Sequence, residues 1–263
     1  MVALKAVRCR RQILCMAFSM LGAIGQVTAD DHVHWSYEGE AGPAHWGELS
    51  EEFAGCKTGH MQSPIDIVSA TLVKSQNVLR TFYRPSDGQV VNNGHTIQVN
   101  LKDGGYAQLS GGRYNLVQFH LHTPSEETVN GIRYPINAHL VHVKQPSASY
   151  ETAPPKLAVI GLFFKEGEEN SLLKPILDQM PETPSSVPLA RQVDLTNLLP
   201  ASLSFYGYTG SLTTPDCTEG VDFYILKMPV ELSPRQLQQF RHLFPMNARP
   251  IQPTNDRQVV EGN

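Results

Sequence analysis

Short apolar and β-branched runs, each closed off by turn-forming residues, set the limits on what this chain can fold into. Thr96-Ile97-Gln98-Val99-Asn100-Leu101, Leu116 to His122, Ala138 to Val143, Leu157 to Phe164 and Phe223 to Leu226 read as strands. Between them stand Asn92-Asn93-Gly94, Asp103-Gly104-Gly105 and Gly111-Gly112, which carry the backbone through conformations that other residues resist. Helical signals are few: Ser233-Pro234 opens a helix through Phe240, and Asn170 caps another from Ser171 to about Met180. No repeat, low-complexity tract or linker divides the chain. Its 263 residues, 41% of them hydrophobic, suffice for one sizeable core. The expected class is mainly β (α+β), a single domain with peripheral helices.

The first residues follow a different pattern. Lys5, Arg8, Arg10 and Arg11 precede an apolar stretch from Ile13 to about Gly25, and Val27-Thr28-Ala29 offers small residues for cleavage. Residues 1–29 read as a signal peptide, with the domain over 30–263. The apolar run is shorter than the roughly 20 residues that span a bilayer, and Cys15 stands at its start, where lipoprotein processing does not use it. The expectation is an exported chain, periplasmic or secreted, with no membrane span once processed. A net charge of −4 provides no field for a phosphate backbone, so nucleic acid is not an expected partner. Removal of the leader takes Cys9 and Cys15 with it. Cys56 and Cys217 remain, and an even pair in an exported chain suggests a disulfide, two buried free thiols being the alternative.

The segment Gln118-Phe119-His120-Leu121-His122-Thr123-Pro124-Ser125-Glu126 carries the chemistry. Residues two apart on a strand share a face, so both imidazoles can converge on one point. After a turn near Asn130-Gly131, a second strand can bring His139 beside them, while His142, three residues on, faces the other way as a structural residue. Three neutral imidazoles suit a mononuclear catalytic zinc with a further position open to water. Three half-buried structural histidines are the alternative at this point.

Several ordered stretches carry a resemblance over nearly all of residues 32–257. They are His34-Trp35-Ser36-Tyr37, Gln62-Ser63-Pro64-Ile65-Asp66-Ile67, Asn93-Gly94-His95, the histidine strand through Glu126, Ala138 to His142, Gly210-Ser211-Leu212-Thr213-Thr214-Pro215 and Asn247-Ala248-Arg249-Pro250-Ile251-Gln252-Pro253. In these the chain resembles alpha-class carbonic anhydrases of the bacterial exported branch. The resemblance implies a large, mostly antiparallel, twisted central sheet with short peripheral helices, and an enzyme that hydrates CO2 reversibly through zinc hydroxide. It implies His120, His122 and His139 as zinc ligands, and Thr213 as the gatekeeper that hands its proton to Glu126. Thr214 would help to bind bicarbonate, Gln118 would fix His120, and His95 would shuttle protons along waters held by Tyr37, Asn93 and Gln98. Val141, Val159, Leu212 and Val221 would form the apolar wall for CO2. The partners would be CO2 and bicarbonate, the mature chain being a monomer or a homodimer.

Four positions depart from the family pattern. Asn137 stands where a glutamate usually accepts from the third ligand's ring N–H, and Glu127 where histidine is common. Phe223 replaces a tryptophan, and Asp216 interrupts a Pro-Pro. The expectation for the first pair is that the Asn137 amide donates to Glu127 and turns its carbonyl oxygen towards His139. Two rival readings stand beside this one. His120-x-His122-x3-Glu126 also resembles the first metal motif of cupins, with Glu126 a fourth ligand to iron or manganese, although the flanking glycines are misplaced. A non-catalytic binding module of the anhydrase type is the other; relatives in that role have lost a zinc histidine, and all three are present here.

Overall fold

A computed structural model of the protein describes residues 33–144 and 155–263; the expected signal peptide, with Cys9 and Cys15, lies outside the described residues. The main sheet is built on β1 (Val73–Lys74), β2 (Gly88–Asn92), β3 (Ile97–Leu101), β4 (Gly112–His122), β5 (Ile136–Val143), β6 (Leu157–Glu166), β7 (Ser185–Pro188), β8 (Phe205–Ser211), β9 (Glu219–Leu226) and β10 (Val260–Gly262). Across the sheet they lie in the order β7-β2-β3-β4-β5-β6-β9-β8-β10-β1. Most neighbours are antiparallel, while β6 with β9 and β10 with β1 run parallel, so the sheet is mixed. Strands Arg80–Tyr83, Gly105–Leu109 and Val230–Leu232 attach outside this path.

The pleat sorts the side chains. On β4, Phe119 and Leu121 enter the larger core with Leu140 of β5 and Ile160 and Leu162 of β6, where the helix Pro234–Leu243 adds Phe240. On the opposite face Val159 and Phe163 of β6 join Ile65, Ile67, Val221 and Phe223 in a smaller core. Gln118, His120 and His122 share that second face, since they alternate with Phe119 and Leu121. β6 is buried on both faces, which is why it reads as a continuous apolar run.

The turns follow their side chains. Between β2 and β3, Asn92 Oδ1 accepts from the Gly94 N–H, and Asn93 Oδ1 accepts from the N–H groups of His95 and Thr96. Gly94 takes φ +86°, which favours glycine. Asn130 and Gly131 both have positive φ and close a hairpin between Thr128–Val129 and Ile132–Arg133. That hairpin pairs with Asp66–Ile67, and the Asp66 carboxylate accepts from Thr128 Oγ1 at 2.6 Å and Gly131 N at 2.8 Å. This small sheet anchors the segment that carries Glu126 and Glu127.

The helix opened by Ser233 runs to Leu243 and is closed at its start by a capping box with Gln236. The helix expected over Ser171–Met180 is only Lys174–Leu177. Asn170 does cap, its Oδ1 accepting from Leu173 N at 3.1 Å. Pro175, however, has no N–H to give the Ser171 carbonyl, so the first turn does not become α-helical.

Candidate metal centre

The ladder between β4 and β5 sets His139 directly opposite His120, and β3 sets Gln98 opposite the same residue from the other side. One ring nitrogen each from His120, His122 and His139 lies within 4.8 Å of the other two. Every opposite ring nitrogen is engaged. His120 Nδ1 meets Gln118 Oε1 at 2.8 Å, His122 Nδ1 meets the Asn247 carbonyl at 2.9 Å, and His139 Nε2 meets Glu127 Oε2 at 3.2 Å. These acceptors hold the outward N–H and leave Nε2 of His120, Nε2 of His122 and Nδ1 of His139 as lone pairs aimed at a common point.

Such a donor set fits a cation. Burial, helped by the charge at His139, holds His120 down to about 3 and His122 well below the ordinary histidine value, so both rings are neutral as ligands must be. Burial alone would lower His139 too, but the Glu127 and Glu126 carboxylates outweigh it and push the ring up, so this place favours positive charge. His122 Nε2 and Glu126 Oε2 are buried with no hydrogen-bond partner in the protein. A metal ion satisfies the first directly.

Glu126 lies 3.4 Å from His122 Nε2 and 3.7 Å from His139 Nδ1. Its other oxygen accepts from the Arg249 backbone N–H at 2.9 Å, and burial pushes the carboxyl up to about 7. Thr213, in the loop between β8 and β9, sits beside the same carboxylate and pulls against that rise. Asn137 differs from the expectation in one respect. Its Nδ2 donates to Glu127 Oε2 at 3.1 Å, but its carbonyl oxygen accepts from the Glu126 N–H at 3.3 Å instead of facing His139.

One pocket gathers the remaining residues. Polar Tyr37, Asn93, His95 and Gln98 line it together with apolar Val141, Val159, Leu212 and Val221, and with Thr213 and Thr214. These four apolar residues belong to the smaller core or pack against it. His95 stacks on Trp35 at 3.6 Å between ring centroids. His142 points elsewhere, bonded to Tyr83 Oη at 2.8 Å and the Leu140 carbonyl at 2.9 Å.

Sequence reasoning gave no role to four residues that build this site. Asn247 supplies the acceptor for His122 and ties the Thr123 N–H and the His95 carbonyl with its side chain. Arg249 supplies the N–H for Glu126, and its buried guanidinium binds Gln62, Ser63 and Cys56. Trp35 holds His95, and Tyr208 donates to Glu127 Oε1 at 3.2 Å. Three of the four stand in motifs that carry the resemblance, Trp35 in His34–Tyr37 and Asn247 and Arg249 in Asn247–Pro253, so the signal for them was position within a motif.

Residues 41–263 match the family described as eukaryotic-type carbonic anhydrase. The chain belongs to the alpha-carbonic anhydrase family. A carbonic anhydrase of Nostoc is 39% identical over 96% of this chain and 97% of its own length. That of Neisseria gonorrhoeae is 40% identical over 95% and 94%. The solved alpha-carbonic anhydrase of Thermovibrio ammonificans, in complex with the inhibitor sulfanilamide, aligns with a TM-score of 0.82 at 45% identity, over 87% of this chain and 99% of that one. Family and fold set the cupin reading aside, and reversible hydration of CO2 is the activity of this family.

Within the alpha-carbonic anhydrase frame, the two remaining departures have local explanations. Phe223 stacks on Tyr208 at 4.7 Å and meets His139 edge-on at 5.9 Å, filling the place of a larger ring. Asp216 accepts from the Thr218 N–H at 3.2 Å and so closes the loop by its side chain. Cys217 in the same loop is joined to Cys56, with 5.0 Å between Cα atoms, which fastens Gly55–Thr58 to the segment carrying Thr213. Among the described residues no helix is long and apolar enough to cross a membrane.

Proposed function

We propose that this chain hydrates CO2 to bicarbonate and a proton at a zinc ion held by His120, His122 and His139. The observation that carries the reading is the set of three inward lone pairs whose opposite nitrogens are all occupied by acceptors. Bound zinc makes water a nucleophile at neutral pH, carbonic anhydrase being the reference case for this effect.

The protein's own groups then orient and move protons. The Thr213 hydroxyl would accept from the attacking water and donate to the Glu126 carboxylate, whose buried Oε2 has no hydrogen-bond partner within the protein. That relay leaves a lone pair directed at the substrate carbon, an orientation effect that lowers the entropic part of the barrier. Val141, Val159, Leu212 and Val221 hold CO2 against an apolar surface, and Thr214 helps to bind the bicarbonate formed. A proton leaves through waters ordered by Tyr37, Asn93 and Gln98 to a ring nitrogen of His95 and thence to buffer. Gln118, Glu127 and Asn137 support the ligands from behind. The catalytic domain is residues 30–263, released into the periplasm or outside the cell by removal of residues 1–29. The disulfide supports export, because such bonds persist in oxidising compartments.

The test is CO2 hydration by stopped flow, paired with metal analysis. One zinc per chain is expected, with hydration lost on chelation and regained on zinc addition. Protein that holds zinc and does not hydrate CO2 would support the binding-module alternative instead.

A further inference from the structure

The geometry assigns to Glu127, and not to Asn137, the task of accepting the ring N–H of His139, so the carboxylate of this site comes from the segment before Thr128 and not from the strand that carries His139. The assignment rests on the reading of His139 as a zinc ligand. Glu127 is fully buried and faces three donors: His139 Nε2 at 3.2 Å and Asn137 Nδ2 at 3.1 Å, both on Oε2, and Tyr208 Oη at 3.2 Å on Oε1. A carboxylate offers two acceptor oxygens to such donors, where an amide offers one.

Asn137 Nδ2 also lies 3.0 Å from His139 Nε2, which raises the question of whether the amide should be turned over to accept there. The neighbours decide it. Turning the amide would set its oxygen against Glu127 Oε2 at 3.1 Å and its N–H2 against the Glu126 N–H at 3.3 Å. One bond would be gained and one donor–donor contact relieved, against two bonds lost and two repulsions made, among side chains that are all buried. Asn137 is therefore a positioning residue. It donates to Glu127 and accepts from the Glu126 backbone, and so links the two carboxylate-bearing residues while leaving the His139 N–H to Glu127.

This assignment changes which variant loosens the metal. In Glu127→Gln a single amide oxygen must serve three donors, and the new N–H2 must face one of them. Zinc loss to a chelator should accelerate 10- to 100-fold, the usual range for loss of such a partner. Asn137→Ala keeps the carboxylate and should accelerate it less than about tenfold. The swap Glu127→Gln with Asn137→Glu should restore slow release. In it Glu at 137 accepts from His139 and the Glu126 N–H, while Gln at 127 donates to it and accepts from Tyr208.

The readouts are the zinc dissociation rate and the ring N–H proton resonance of His139 in zinc-loaded protein labelled with 15N-histidine. The resonance should move in Glu127→Gln and stay in Asn137→Ala. Unchanged release from Glu127→Gln, or faster release from Asn137→Ala than from Glu127→Gln, overturns the assignment. If Glu127→Gln does not fold, Asn137→Ala decides alone: retention of the resonance supports Glu127 as acceptor, and its loss refutes it. Wild-type protein that takes up no zinc would refute the metal reading itself, which is a separate outcome from zinc-loaded protein indifferent to Glu127→Gln.

Discussion

On the floor of the pocket, His120, His122 and His139 come from two adjacent strands, and the pairing of β4 with β5 alone sets them facing each other. At its mouth, Trp35, His95 and Thr213 arrive from segments far apart in sequence, and each is fastened by a separate device: a ring stack, an Asn93 turn, a disulfide. The floor is local in origin and shares the stability of the whole sheet, so its geometry is lost only when the ladder is lost. The mouth depends on contacts that can be undone one at a time. Damage to the floor should therefore abolish function without unfolding the protein, whereas damage to the mouth should be graded and open to rescue.

Removing a floor ligand gives the largest effect. His120→Ala and His139→Ala should both lose tight zinc binding and fall to undetectable hydration, because three protein ligands are the minimum of such catalytic sites. The two should differ in stability. His139 stands between Glu126 and Glu127, at 3.7 Å and 3.2 Å, so its removal leaves two buried carboxylates with no group between them. His139→Ala should thus melt at a lower temperature than His120→Ala, while both keep the β-type circular dichroism spectrum. A metal-free His139→Ala protein with full activity would end the zinc reading.

The disulfide comes next. Cys56 and Cys217 are 161 residues apart, and closing so long a loop contributes about 4 kcal/mol or more in the chain-entropy account, although measured gains often fall short. The double variant Cys56→Ser with Cys217→Ser should melt well below the wild type. Zinc should stay bound in the folded protein, because the rings of the floor ligands are hydrogen-bonded to Gln118, Asn247 and Glu127 and not to this loop. Zinc lost at the same rate as the disulfide is reduced would show that floor and mouth are one unit after all.

The same contrast explains what could be read in advance. His120 and His122 two apart, with Phe119 and Leu121 between them, announce a strand with one apolar and one functional face, and that is how β4 is built. Gly94 and Asn130-Gly131 announce turns, because only a few residues take positive φ at low cost. The mixed character of the sheet could not be read, since the parallel pairing of β6 with β9 joins strands more than fifty residues apart and leaves no local mark. Nor could Asn247 and Arg249 be given their tasks towards His122 and Glu126, because the groups they offer these two residues are a backbone carbonyl and a backbone N–H, which every residue possesses. Asn137 shows the limit most clearly. Its partnership with Glu127 follows from donor and acceptor counting, but the direction of its amide depends on the Glu126 N–H, whose position no count of residue types predicts.

The smallest effect, and the one that most sharpens the contrast, concerns His95. Its ring is half-buried on Trp35, and burial, with the nearby charge of exposed His34 adding to it, lowers its proton affinity below the ordinary histidine value. The neutral ring is thus favoured in the folded protein, and whatever stability this brings is present near neutrality and is lost as pH falls through the window below about 6.5. A titration of the ring by NMR should have its midpoint below that value. His34→Gln should raise the midpoint in part, and added salt should do the same, because the charge of an exposed histidine is screened while burial is not. In His95→Ala the chemical step should persist and proton export should slow, so the deficit should shrink as imidazole-type buffers are added. A midpoint at or above about 6.5 would show that stacking on the indole favours the cation by more than burial opposes it. A deficit that no buffer relieves would mean that His95 shapes the mouth of the pocket and does not carry protons through it.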